Sequence, residues 1–566
     1  MNNHGKPAGR HLIPHLLALI AYTALTLMLT YPLVLQLHTH LAGGDIDVWI
    51  NPWANWWLEK AITEGLGPFH SDYLFYPEGV SLVFHSFSPV NTLFWWLLKP
   101  LFGAMVSYNL TILLAYVMSG YTMWLLARYW TGNDYAGFLA GVIFAFSPYH
   151  MMESAHPVIA TTQWIPLSSL CLIKALRERS VQYGCLSAVF LILSALSGWH
   201  LLFFAGLWAL LYIAYKGLFQ RGLRTPGTLK PLLALALLAM LLLAPLLYPI
   251  LREGVRNGIS YMSAPQDTSV GNHPLAFFIP SERHPVLGEL FSQANRSIGP
   301  NRERSAFVGY LVLLMGIHAA FKGKVRTRFW VLAFLTFTLL SLHSRIPLRT
   351  GKILKFPWSG PVVALFRHPF RFNILVSFSL SMLVACDFAE LLRSGPLQHG
   401  GRAAKVLVTG SLTVLILFEY LILPFPTTHP DPSPFYHSLR EMKQSFAIVE
   451  IPIGRQPDKL SMYYQTIHEK KLVGGVVSRT PTDAYDYIAQ DPLLCAAGRG
   501  KPSGLSHSDI SQSFKRLAGD DVRYVTLKKG LMEKSTLRIW RSLLKGSKIY
   551  EDDKLVVYTT AHFAEE

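Results

Sequence analysis

Charge is what this sequence has least of. Only 15% of its 566 residues are Asp, Glu, Lys or Arg, against about 25% in an ordinary soluble domain, so ionic side chains are too few to keep a whole surface wet. Acid is the scarcer sign, with 34 residues against 51 Lys and Arg, leaving a formal charge of +17. Cysteine is scarce too. Cys171, Cys185, Cys386 and Cys495 stand in no paired or ligand-like spacing, which excludes a disulfide framework and a cysteine metal site. The first apolar run is followed by no small-residue cleavage site and is too long for a signal-peptide core, so it reads as an anchor. The chain carries no internal repeat, and its apolar runs are almost free of ionisable residues.

What it has in place of charge is apolar length. Half the chain (51%) is hydrophobic, concentrated in runs near 11–37, 105–127, 135–150, 158–176, 183–199, 200–216, 231–251, 306–321, 329–344, 370–392 and 406–425, with almost none beyond. Runs of this length predict membrane spans, about eleven of them, followed by a soluble tail. Lys and Arg then fix the orientation. Lys6 and Arg10, Arg128, Arg177 and Arg179, residues 216–230, residues 322–328, and Arg393, Arg402 and Lys405 fall on one side when eleven spans are threaded. That side is the cytoplasm. The expected protein is a multi-pass protein of the cytoplasmic (inner) membrane, N-terminus inside and tail outside. Its positive charge belongs to topology, and no nucleic-acid partner is implied.

Two domains are expected: a helical bundle over 1–425, including outer loops 38–104 and 252–305, and a soluble extracytoplasmic α+β domain over 426–566. The tail opens on LPFPTTHPDPSP; SFAIVEIPI, DVRYVTLK and KLVVYTT read as strands, and FYHSLREMKQ and KSTLRIWRSLLKG as amphipathic helices. Its residues 462–479, with His468 and Arg479, form its candidate functional face. In the first outer loop, Asn51-Pro52 reads as a helix start, and Trp53, Trp56, Trp57 and Ala61 recur on one face before Gly65. A tryptophan stripe suits a helix lying in the headgroup layer, where an indole buries its ring and keeps its N–H wet; packing against other helices is the plainer alternative. Residues 89–103 read as a second interfacial helix.

Chemistry-bearing residues cluster in the outer loops. Asp45-Ile46-Asp47 puts two carboxylates on one face of an extended segment, able to hold a divalent cation against a phosphate, or to lend one carboxylate as general base. Simple solvation is the ordinary fate of such a pair; its place just beyond the first span raises its interest. His70, Asp72, Glu78 and His85 follow in the same loop. The loop 345–369 holds Arg345, Arg349, Lys352, Lys355 and Arg367, with Arg371 just after, and no acid. Positive charge there opposes the orientation rule, and it suits a lipid-linked phosphate gripped by guanidinium forks, ordinary anionic lipid being the simpler partner. Glu282, Arg283, His284, Glu303 and Arg304 are the charged residues of loop 252–305.

Taken together, DIDVWINPWANWWLEKA, PFHSDYLFYPEGVSLVFHSFSPVNTLFWWLLKPLFG, LFRHPFRFNIL and MYYQTIHEKKLVGGVVSRTP resemble segments of bacterial integral-membrane glycosyltransferases of the GT-C fold. The resemblance implies an all-α polytopic bundle carrying an extracytoplasmic α+β domain. It implies a sugar donor on polyprenyl phosphate, a lipid, glycan or protein acceptor, and inverting transfer of a hexose or pentose on the outer face. The family's first-loop acid maps to Asp47 or Asp45 as catalytic base, and its late basic residue to Arg367 or Arg371. His85, Glu78, Glu303 and Arg304 complete the expected substrate-binding set. The chain departs from the family's Asp-Glu pair, since Val48 follows Asp47, which leaves open the acting aspartate and the use of a divalent cation. Beyond that divalent cation, whose use stays open, no resident cofactor is called for. The competing classes are a flippase or transporter for a lipid-linked precursor, which would carry ionisable residues within its spans or an internal repeat, and a non-catalytic assembly protein.

Overall fold

A computed structural model describes residues 9–219, 225–257, 271–298, 306–342, 345–347, 353–355, 368–394, 398, 400–502 and 504–561. They form two compact units. One comprises Met1–Gly43, Ser88–Leu247 and Ser263–Thr428; the other Gly44–Phe87, Tyr248–Met262 and His429–Glu566.

The first unit is helical. Among the described residues, each apolar run of the sequence contains a helix, from Gly9–Leu29 through Ala104–Thr131, Asp134–Phe146, Trp164–Arg177, Val181–Ser197, Trp199–Phe219, Pro226–Asn257, Tyr310–Phe321, Val325–Ser341 and Asn373–Ser394 to Arg402–Glu419. Among the described residues, six helical segments have the length and composition to cross a membrane. Others fall short of the roughly 20 residues a span needs, such as Asp134–Phe146 with 13 and Tyr310–Phe321 with 12. Two segments show what the bundle is dissolved in. Pro369–Ser394 lies in the core, with 78% of its apolar window buried, whereas Pro226–Val255, with mean hydropathy 2.4, has none of its window buried. A helix apolar all round needs either protein or lipid around it, and the described residues leave the apolar window of this one uncovered. The chain is a multi-pass membrane protein.

Ring packing holds the centre: Phe378 of the core helix meets Trp208 and Trp330, each at 5.7 Å, and Phe144 at 5.6 Å. Gly132, at φ +71°, ends helix Ala104–Thr131, and Asn133 caps the next helix by accepting from the Ala136 N–H at 3.0 Å, so the two turn back on each other as an αα-hairpin. A Cβ at Gly141 would lie 2.0 Å from the Tyr22 hydroxyl, which is why that helix can approach the first one. At the unit's edge, Leu41–Ala42 pairs antiparallel with Thr427–Thr428, and the Asn109 amide accepts from Ala42 N–H at 2.9 Å and donates to His40 O at 2.7 Å. The chain therefore leaves for its first loop beside the point where it leaves for its tail.

The second unit is built on a five-stranded sheet in the order Lys548–Glu551, Leu555–Thr559, Val522–Lys528, Ala447–Ile451, Lys471–Leu472. The fourth strand, Ala447–Ile451, runs parallel to both its neighbours, and every one of its residues is buried, as parallel strands covered on both faces are. Residues 73–76 of the first loop extend this sheet. Leu472 N–H donates to Tyr73 O at 2.9 Å, and Tyr76 N–H donates to Leu472 O at 3.0 Å. The reading from sequence assigned the whole first loop to the bundle; residues 44–87 instead pack into the tail's unit, because the short edge strand leaves backbone groups for them to pair and the tail supplies partners for their tryptophans.

Two local expectations change with this. The tryptophan helix starts at Ile50, four residues after a 3-10 turn, Ile46–Trp49, begins; the cap is Asp45, which accepts from Asp47 N–H at 3.4 Å. Asn51 thus lies inside the helix. Nor do the tryptophans sit at a wet interface. Trp53, Trp56 and Trp57 are buried within the unit. The Trp53 N–H donates to Gln465 Oε1 at 2.7 Å and the Trp57 N–H to Pro68 O at 3.0 Å. A buried indole needs an acceptor, and protein groups provide it. Residues 89–103 do form a helix, Pro89–Phe102, counted with the first unit.

Candidate functional site

In the second unit, the 3-10 turn Ile46–Trp49 brings carboxylate oxygens of Asp45 and Asp47 within 4.8 Å of each other. The Asp47 Oδ1 receives the ammonium of Lys459, which also donates to Gln456 Oε1 at 2.9 Å. Lys459 lies in the first turn of helix Pro457–His468. That helix packs along the tryptophan helix, with Tyr463 against Trp49 at 5.0 Å between ring centroids. Gln465, two turns further on, binds Trp53, Tyr73 O at 2.7 Å and Lys470 O at 2.9 Å. The ammonium thus occupies a position at Oδ1 that a cation would take.

Buried ionisable groups gather behind this contact. The Asp458 carboxylate accepts from Gly454 N–H and Gly475 N–H, each at 3.1 Å. Burial pushes its pKa up to about 7 despite the opposing pull of Lys528 and of those two N–H groups. Lys528 reaches Glu450 at 3.3 Å; burial pushes Glu450 up, but Lys528 and His468 outweigh it, and its carboxyl sits below the ordinary value. Burial pushes His468 down to about 4.

The other residues singled out from sequence are dispersed. His85 is 4% exposed, edge-on to Trp53 at 5.6 Å and Phe87 at 5.0 Å. Burial, then the nearby Arg455, lowers its pKa to about 4, so the ring is neutral at physiological pH, and neither ring nitrogen has a hydrogen-bond partner among the described residues. Glu78 and His70 are exposed. Asp72 is exposed and pairs with Lys471 at 2.6 Å. In the first unit, Arg371 lies in the 3-10 turn Pro369–Phe372 that opens the core helix, its Nη1 against His200 Nε2. Arg367, Glu303 and Arg304 lie outside the described residues, as do Arg349 and Lys352.

Residues 14–414 match a family model described as Domain of unknown function (DUF6311). The chain belongs to that family. No curated protein matches it. Among solved structures, this DUF6311 chain is similar to the arabinofuranosyltransferase AftD from mycobacteria, with TM-score 0.58 and 15% identity over 96% of this chain and 41% of that one. It is similar to the archaeal oligosaccharyltransferase AglB from Archaeoglobus fulgidus, in complex with an inhibitory peptide and a dolichol-phosphate, with TM-score 0.50 and 11% identity over 91% of this chain and 69% of that one. ArnT from Cupriavidus metallidurans in the apo state gives TM-score 0.50 and 13% identity over 96% and 98%. At such identities the likeness is one of fold, and the fold is GT-C. This chain spans about two fifths of AftD.

Two groups in this DUF6311 member escaped the reading from sequence. Lys459 gave a weak signal, an isolated basic residue in PDKLSMYYQTIH, three residues before the segment taken as the tail's functional face. In the first unit, Glu153 is 1% exposed and pairs with His156 at 3.0 Å. It lies in PYHMMESAHP between two apolar runs, where an isolated acid was the available sign.

Proposed function

We propose that the chain is a membrane glycosyltransferase that moves a sugar from a polyprenyl-phosphate donor to a lipid, glycan or protein acceptor on the outer face of the cytoplasmic membrane. Asp47 is the general base. It takes the proton of an acceptor hydroxyl as that oxygen attacks the anomeric carbon and the lipid phosphate departs with its electron pair; Asp45 holds the turn that presents it. Arg371, with Arg367, stabilises charge developing on the leaving phosphate.

The observation that carries this reading is the anchored carboxylate of Asp47, one turn before the tryptophan helix in a chain of GT-C fold. The dolichol-phosphate bound to AglB supports a polyprenyl-linked donor, and the apolar exposed helix Pro226–Val255 supports a membrane-embedded enzyme. The unmet nitrogens of His85 support a role for that ring toward a substrate hydroxyl or an ordered water, because an unpaired buried polar group costs about 1–3 kcal/mol. The C-terminal 138 residues, 429–566, are proposed to be extracytoplasmic and to recognise the acceptor.

Asp47→Asn tests it. In lipid nanodiscs, with radiolabelled sugar on a short polyprenyl phosphate, the variant should fold and bind donor yet transfer nothing measurable. Transfer at the wild-type rate would remove Asp47 as the base.

A further inference from the structure

We propose that Lys459 of the tail is a positioning residue for Asp47, so that the tail supplies part of the catalytic apparatus in addition to any acceptor recognition. The assignment rests on the transferase reading above.

Lys459 is an unfavourable residue where it stands. Its side chain is 6% exposed while that of its partner Asp47 is 32% exposed, so the ammonium is the interior member of the pair. Lysine is almost never fully buried unless paired, and removing an ammonium from water costs several kcal/mol before its partner offsets any of it. It also occupies the first turn of helix Pro457–His468, where the positive end of the helix dipole opposes a cation.

Anchoring does not account for it. The first loop is already fastened by the Gln465 amide on Trp53 and Tyr73, by the ring contact of Tyr463 with Trp49, and by backbone bonds along residues 73–76. None of those needs a charge. A well-packed apolar residue in place of a buried ion pair is often neutral or stabilising. What Lys459 alone contributes is a fixed positive charge against one named oxygen, Oδ1 of Asp47.

A general base benefits from that in two ways. The carboxylate is held in one orientation, so reaching the transition state needs no reorientation at the moment of transfer. The ammonium also balances the carboxylate's charge while substrate excludes water from around the pair. In the reaction, the acceptor O–C1 bond forms as the bond between C1 and the phosphate oxygen breaks. The electron pair leaves with the phosphate and the acceptor proton passes to Asp47; Lys459 keeps its own proton throughout. Gln456, on the turn before the helix, holds the ammonium from its other side.

The test uses full-length protein in nanodiscs, with a polyprenyl phosphate carrying glucose, mannose or arabinose as donor, whichever the wild type turns over. Turnover is expressed per folded molecule, with melting followed in parallel. Lys459→Met keeps the stem and removes the charge. It should remain folded and lose about 30- to 300-fold in kcat, with KM for the donor changed less than about threefold. Lys459→Arg should recover at least a tenth of wild-type turnover, since the charge returns in a different shape. Wild-type kcat in Lys459→Met, or a lowered melting temperature with unchanged turnover per folded molecule, would make the pair structural and overturn the proposal. A loss confined to KM would move Lys459 to donor binding and overturn it equally. Failure of the parent reading looks different: wild-type protein that binds polyprenyl phosphate and transfers none of the three sugars overturns both, whereas an active wild type beside an active Lys459→Met overturns this assignment alone.

Discussion

Gln465→Leu is the substitution that tests how the first loop and the tail form one unit. The Gln465 side chain is fully buried and accepts from the Trp53 indole while donating to two backbone carbonyls at 2.7 and 2.9 Å. Leucine fills nearly the same volume, so the cavity contribution is small. What remains is three abandoned partners. The buried indole N–H costs about 1–3 kcal/mol, and the two carbonyls, each with a second lone pair, cost less, for about 3–5 kcal/mol together. In a cooperative unit of this size each kcal/mol shifts melting by about 2–4 °C, so the loss is about 10 °C. In the full-length protein, hydrogen exchange should quicken at Ile50–Thr63 and at residues 73–76, while helix Asn373–Ser394 stays protected. Trp53→Phe should then cost less in the Gln465→Leu background than in the wild type, leaving the double variant more stable than the sum of the singles predicts by about 1–2 kcal/mol. A melting temperature within about 2 °C of wild type, or strictly additive losses, would refute the role given to this amide.

Asp458 gives a pH signature. Its folded pKa is raised to about 7 from 3.8, so in that window the unfolded chain releases the proton that the folded chain keeps, and stability falls as pH rises from about 4 to 7, then levels off; a gap of that size corresponds to about 4 kcal/mol. Asp458→Asn should flatten the melting temperature over that range, and an unchanged slope would count against the burial argument. Arg371→Ala should cost about 2–4 kcal/mol of transition-state stabilisation, a rate loss of roughly 30- to 1000-fold, with Arg371→Lys recovering only part; near-wild-type turnover would place the donor phosphate elsewhere.

The bundle was legible because transfer into lipid is read residue by residue. An apolar run announces its own helix, and each such run contains one. Strand Ala447–Ile451 was legible for the same reason, as a short β-branched apolar stretch bounded by turn residues. The tryptophan stripe was misread because periodicity reveals that a face is buried without saying in what. The deciding information, an acceptor for the Trp53 N–H, lies 412 residues along the chain. Local rules also misplaced the helix start, since Asn51-Pro52 is a good cap only if the chain before it is extended, and Asp45 had already begun a 3-10 turn. The Asp45–Asp47 pair could be singled out from spacing. Its partner could not, because a lysine in an amphipathic helix reads as solvated until the facing element is known.

That partner's position carries one more consequence. Asp47 with Lys459 and Trp53 with Gln465 are both separated by 412 residues. A constant separation, rather than a constant sum, means that the first-loop segment and helix Pro457–His468 run side by side in the same direction. Helices that turn back on each other can be joined by a few residues, whereas parallel neighbours need a connection long enough to return to the starting end. Here that connection includes most of the membrane bundle. The antiparallel pairing of Leu41–Ala42 with Thr427–Thr428 is then the point where the loop closes, bringing the two departing strands of chain together before either enters the second unit. Parallel alignment also sets both helix N-termini at one end, where the dipoles favour Asp45 and Asp47 and disfavour Lys459. The aspartates sit where helix physics would put an acid. The lysine sits where only the aspartate explains it.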